Sequence, residues 1–106
     1  MDVVPNLDYI CQLSQGDKSF IHEILQVIKK ELPLEIWTYN LHLAEEDFVM
    51  AAEDVHKLKH KISILGMEKG YHLAVDHEEN LIKGNVSLKL DFDEILELML
   101  CFIEKT

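Results

Sequence analysis

The stretch "FVMAAEDVHKLKHKISILG", Phe48 to Gly66, decides how the rest of the chain is read. Its apolar residues Phe48, Ala51, Ala52, Val55, Leu58, Ile62 and Leu65 advance by three or four, the step of one helix face. Asp47 stands where an N-terminal cap belongs, and Gly66 where a helix ends or turns tightly. The polar side of the same helix holds His56, Lys57, Lys59, His60 and Lys61. A chain with a formal net charge of -10 thus gathers two imidazoles and three ammonium groups on two turns.

The flanking sequence repeats the helical theme. Asn6 to Leu13 reads as a short amphipathic segment that ends near "SQGD". Asp17 is positioned to cap a long helix to about Ala44, with Phe20, Ile24, Val27 and Ile28 at helical spacing. Leu34, Trp37 and Leu41 carry the apolar stripe past Pro33, which predicts either one kinked helix or two abutting ones. A fourth helix, Glu68 to Lys83, is expected to bury Tyr71, Ala74, Leu81 and Ile82 before stopping at Gly84. In the last helix Asp91 and Glu94 have capping-box spacing, with Leu90 and Ile95 as a hydrophobic staple. Four substantial amphipathic helices on short loops predict an all-α, antiparallel four-helix bundle with a short extra N-terminal helix, forming a single domain over residues 1–106.

Composition narrows the setting. No apolar run approaches the roughly eighteen residues of a membrane span, and the N-terminus does not read as a secretory signal. The acidic excess argues against nucleic acid, whose phosphates it would repel. Cys11 and Cys101 are expected as buried, reduced thiols in a cytoplasmic protein. The aromatic residues Tyr9, Phe20, Trp37, Phe48, Phe92 and Phe102 and the thioether of Met99 are expected in the core. Met50 and Met67 fit as gap fillers or as exposed positions. His22 and His42 are expected at the surface.

With Val55, Leu58, Ile62 and Leu65 facing inward, His56 falls at the edge of the apolar stripe. Ala52 and Ser63, its neighbours along the helix, are small and leave the ring open to a partner. Lys59 is within reach of any group that ring would carry, and a flexible point charge suits a phosphoryl group. On the next helix Glu78 follows Ala74 by four residues and precedes Leu81 and Ile82, so it lies on the inward stripe and needs a partner. Glu78 accepting from His56 Nδ1 would fix the tautomer and leave Nε2 as nucleophile.

These residues resemble the histidine-containing phosphotransfer (HPt) domain of multistep two-component phosphorelays. The family motif, a His, any residue, an aliphatic and a Lys, with a Gly ten after the His, is met by His56-Lys57-Leu58-Lys59 and Gly66. The acidic or amide residue that often holds the histidine from the following helix corresponds to Glu78. The resemblance implies that His56 accepts a phosphoryl group from a receiver-domain aspartate and passes it to another receiver, with Lys59 stabilising the phosphate and Glu78 orienting His56. It implies response-regulator receivers, with a hybrid sensor histidine kinase as a further partner. The chain itself would be a monomeric carrier without kinase activity, and the magnesium ion would come with the receiver. His60 and Lys61 depart from the small residues usual after the Lys. Together with Lys57 and Ser63 they are expected to form the partner-facing rim, where basic charge would attract an acidic receiver pocket.

Two other classes fit parts of the pattern. His56 and His60, at i and i+4, have zinc-chelating spacing, with His72, His77 or Glu78 to complete the shell. A helical adaptor that carries no phosphoryl group would use the same patch for binding alone.

Overall fold

The longest element starts at Asp17, whose carboxylate accepts the backbone N–H of Ser19 at 3.0 Å and of Phe20 at 3.3 Å. From that cap α2 runs unbroken from Lys18 to Ala44 in the computed structural model, which describes residues 4–106. Pro33 lies inside α2 at an exposed position, and the helix continues through it as a single element. The others are α1 (Asp8–Ser14), α3 (Phe48–Ile64), α4 (Glu68–Ile82) and α5 (Lys89–Glu104), with no strand among the described residues. Helix α3 packs against α2 and α4, α5 also packs against α2 and α4, and α1 lies on α2.

One apolar core runs between the helices. Val55, Leu58, Ile62 and Leu65 of the opening stretch are fully buried, and so are Tyr39, Leu81, Phe92 and Met99 from the other helices. Burying each Val, Leu or Ile stabilises the fold by roughly 1.5–3 kcal/mol. That stripe fixes which residues α3 turns outward. Asp47 caps α3 through Met50 N–H at 3.2 Å, as its position predicts. Gly66 then turns the chain at φ 74°, a left-handed conformation that favours glycine. A Cβ there would stand 2.5 Å from Asn6 Oδ1, because Asn6 crosses the helix end and its N–H donates to Leu65 O. Gly66 is therefore required by both backbone conformation and space.

Several expectations fail, each for a packing reason. α1 begins at Asp8 rather than Asn6, whose side chain instead accepts Asp8 N–H. Helix α5 starts at Lys89 with Leu88 before it. The capping box at Asp91 and Glu94 is not used, and the proposed staple residue Leu90 is exposed. Ile82 closes α4 in solvent rather than in the core. Phe92 is buried and Phe48 and Phe102 partly so, whereas Tyr9, Phe20 and Trp37 are exposed along with Leu34 and Leu41. The apolar spacing on α2 thus describes two faces, only one of which meets α3 and α5. Cys11 and Cys101 are free and exposed, because their apolar neighbours take the inward positions. Met67 and Met99 are buried, while Met50 is exposed.

Candidate functional site

The outward rotation of α3 sets His56 at a groove between α3 and α4. That groove, about 540 Å³, has Val49, Ala52, Glu53 and Lys57 along α3 and Glu78 and Ile82 along α4. Ala52 is buried one turn below His56, so nothing larger stands between the imidazole and the groove. The His56 side chain is 57% exposed, and its Nδ1 stands 3.4 Å from Glu78 Oε2, an ion-pair separation longer than a good hydrogen bond. Lys59 Nζ lies 2.8 Å from the other oxygen, Glu78 Oε1. The ammonium also sits 5.8 Å from the centre of the Tyr71 ring, within cation–π range. Glu78 therefore faces both side chains expected to accompany it, and Lys59 is held in a slot between α3 and α4.

Around this cluster the predicted rim separates into two kinds of residue. Lys57, His60 and Ser63 are exposed. Lys57 borders the His56 groove and also a smaller crevice of about 120 Å³ between α3 and α2. The His60 ring meets the His56 ring edge to face, with centroids 5.5 Å apart. Lys61 does not belong to the rim. It is 9% exposed and points to α2, donating to Glu31 Oε1 at 3.0 Å and Glu35 Oε2 at 2.8 Å. Burial works against its charge, but the bonds to Glu35 and Glu31 outweigh it and leave its pKa raised. The expected role of Lys61 in partner binding is accordingly corrected. One residue separates Lys61 from Lys59, and helical rotation sends Lys61 to the α2 seam.

Two histidine contacts escaped the sequence reading. His77 is fully buried, with Nε2 sharing a 2.7 Å hydrogen bond with Tyr39 Oη and the ring packed on Phe92. Burial lowers its pKa to about 4, with nearby Asp93 opposing and Lys89 reinforcing the shift. Burial likewise raises the pKa of the Tyr39 hydroxyl. This removes His77 from any zinc shell. His42, expected at the surface, pairs through Nδ1 with the buried Asp54 at 2.5 Å, a bond that raises its pKa. A His at i and a carboxylate on the next helix can be seen in sequence, but not which of several such pairs closes. His22 and His72 are exposed. Among the described residues no three His, Cys, Asp or Glu side chains are gathered as a metal-ligand set.

No helix of the described chain is long and apolar enough to cross a membrane. Compared with protein-family models, with curated proteins and with solved structures, the chain matches none.

Proposed function

We propose that this chain is a histidine phosphotransfer protein, an HPt-like four-helix bundle of α2 to α5 with α1 as the extra helix. In this reading His56 accepts a phosphoryl group from a receiver-domain aspartate and returns it to another receiver. The observation that carries it is the pairing of an exposed imidazole with an inter-helix carboxylate: His56 opens to a groove while its Nδ1 faces Glu78. An imidazole whose Nδ1–H is directed to a carboxylate keeps Nε2 as the free lone pair. That lone pair attacks phosphorus in line, and the N–P bond forms as the P–O bond to the receiver's aspartate breaks. The electron pair leaves with the aspartate carboxylate, while the proton stays on Nδ1 and its charge is met by Glu78. Lys59, already within 2.8 Å of Glu78, supplies positive charge beside the phosphoryl oxygens.

The charge distribution fits an acidic partner. Helix α3 presents Lys57 at the His56 groove with Lys59 behind it, while α4 and α5 hold most of the acidic excess. A magnesium-binding receiver pocket, itself built of carboxylates, approaches the α3 side at lowest electrostatic cost. The magnesium ion belongs to the receiver. Residence of the carrier in the cytoplasm, with hybrid kinases and response regulators as partners, follows from the same proposal.

The test is transfer from a panel of phosphorylated receiver domains to the protein and to His56→Ala. An acid-labile, base-stable label that disappears in the variant is the expected result. A helical adaptor would bind a receiver and take no label. A label that persists in His56→Ala and is lost in His60→Ala would move the acceptor one turn along α3.

A further inference from the structure

Helix α2 turns a second apolar face away from the core. Phe20, Val27, Leu34 and Leu41 repeat every seven residues, and Trp37 stands beside them. Their exposure ranges from 40% at Leu41 to 65% at Leu34. Seven-residue spacing keeps them on one stripe, roughly opposite the buried line of Leu25, Ile28, Leu32 and Tyr39. Exposed apolar residues repeating every two turns along the longest helix form a face suited to packing against another helix.

Charge says what covers it. On a molecule of formal net charge -10, two copies repel, and α4 and α5 carry the excess. Helix α2 is neutral, with Lys18, Lys29 and Lys30 balanced by Glu23, Glu31 and Glu35. Its outward polar residues are also self-complementary. In an antiparallel pair of α2 helices with a twofold axis at Val27, Phe20 of one copy faces Leu34 of the other. The same register puts Glu23 and Lys30, which share one flank of the stripe, within a residue of each other across the interface, twice by symmetry. Moving the axis to between Lys30 and Glu31 would match Phe20 with Leu41 and Val27 with Leu34, and so cover Leu41, which the register centred on Val27 leaves beyond the paired segment. It would, however, bring the two Lys30 side chains together and set Glu23 against Trp37. Charge therefore selects the register centred on Val27.

We propose that α2 is a self-association surface, through which two copies of this chain pair antiparallel about Val27. This departs from the monomer expected from sequence, because the sequence pattern placed these apolar residues in the core. It does not rest on the phosphotransfer reading: His56 opens to the α3–α4 groove, away from this stripe.

Sedimentation equilibrium of the full chain over a wide concentration range tests the pairing. The mass should rise from 12.3 kDa toward about twice that value. Leu34→Glu, at an exposed position, should keep its helical circular dichroism and stay monomeric. Glu23→Lys and Lys30→Glu should each weaken association by about tenfold, because each replaces two attractive pairs by two repulsive ones. Mixing these two variants should restore it, since the mixed pair sets Glu against Lys at both sites. Monomeric behaviour at every concentration would overturn the proposal, as would undiminished association of Leu34→Glu. Wild-type association by Glu23→Lys, or no recovery on mixing, would overturn the register. A monomeric wild type whose receiver transfer is lost in Leu34→Glu would assign the stripe to the receiver and also overturn self-association.

Discussion

Helix α3 makes two seams, and they differ in kind. Toward α2 its polar groups are closed: Lys61 lies between Glu31 and Glu35, and Asp54 is bound to His42. Toward α4 they stay open: His56 is more than half exposed, 3.4 Å from a carboxylate that Lys59 also meets. The closed seam uses charge to fix how two helices sit. The open seam leaves the His56 imidazole where another molecule can reach it, while the Lys59 ammonium, 12% exposed, is held against Glu78 beside it. The same residue types, spaced a few positions apart, are tied into packing on one side and leave an imidazole open on the other, and rotation about the helix axis decides which.

The contrast continues on α4, where His77 and Glu78 are adjacent in sequence and opposite in role. His77→Ala should give the largest stability loss, about 2–4 kcal/mol in urea unfolding, by opening a cavity and leaving the Tyr39 hydroxyl unpaired. A loss below about 0.5 kcal/mol would mean that His77 is not the buried partner of Tyr39. Lys61→Ala should cost less, about 1–3 kcal/mol, because Glu31 and Glu35 retain water on one side. Its transfer activity at low temperature should match the wild type. A transfer defect in a folded Lys61→Ala protein would return Lys61 to the partner-facing rim.

At the open seam the balance reverses. Glu78→Gln should leave stability within about 1 kcal/mol and slow phosphoryl transfer by about tenfold, since the amide can orient Nδ1 without balancing its charge. Unchanged transfer would remove Glu78 from the site. The pH dependence supplies the most diagnostic effects. His77, with a folded pKa near 4 and an ordinary unfolded value of 6.5, contributes stability that is present above pH 6.5 and lost as pH falls toward 4. His42 has the opposite sign. Its raised folded pKa contributes stability present below pH 6.5 and lost as pH rises above 6.5 through the raised folded pKa. His77→Phe should flatten the acid limb, and His42→Asn the neutral-to-alkaline one.

Most of the helical order was legible because α3 and α4 keep apolar periodicity, with a capping Asp before α3 and a glycine after each helix. Asp47, Gly66 and Gly84 fall where their chemistry requires. Helix α2 was less legible, since apolar residues occur on two of its faces and spacing alone does not say which is covered. The start of α5 misled for another reason: a capping-box pattern exists in the sequence, but the chain enters the helix two residues before Asp91. At the site, His56, Lys59 and Glu78 were named from spacing and resemblance, and the structure brings them together. Lys61 was misplaced because a run of basic residues looks like one patch in sequence, while successive residues on a helix point about 100° apart. The Tyr39–His77 pair joins α2 to α4 across the core, a contact that local pattern does not contain.

In the proposed reading, pairing with Glu78 rather than exposure makes His56 the acceptor. The chain has six histidines, and His22, His60 and His72 are exposed as His56 is. Mapping the label by tandem mass spectrometry under phosphate-preserving conditions, after transfer from a phosphorylated receiver, separates the two possibilities. Phosphorylation is expected at His56 alone, falling in Glu78→Gln. A label spread over the exposed histidines, or concentrated at His60, would contradict it.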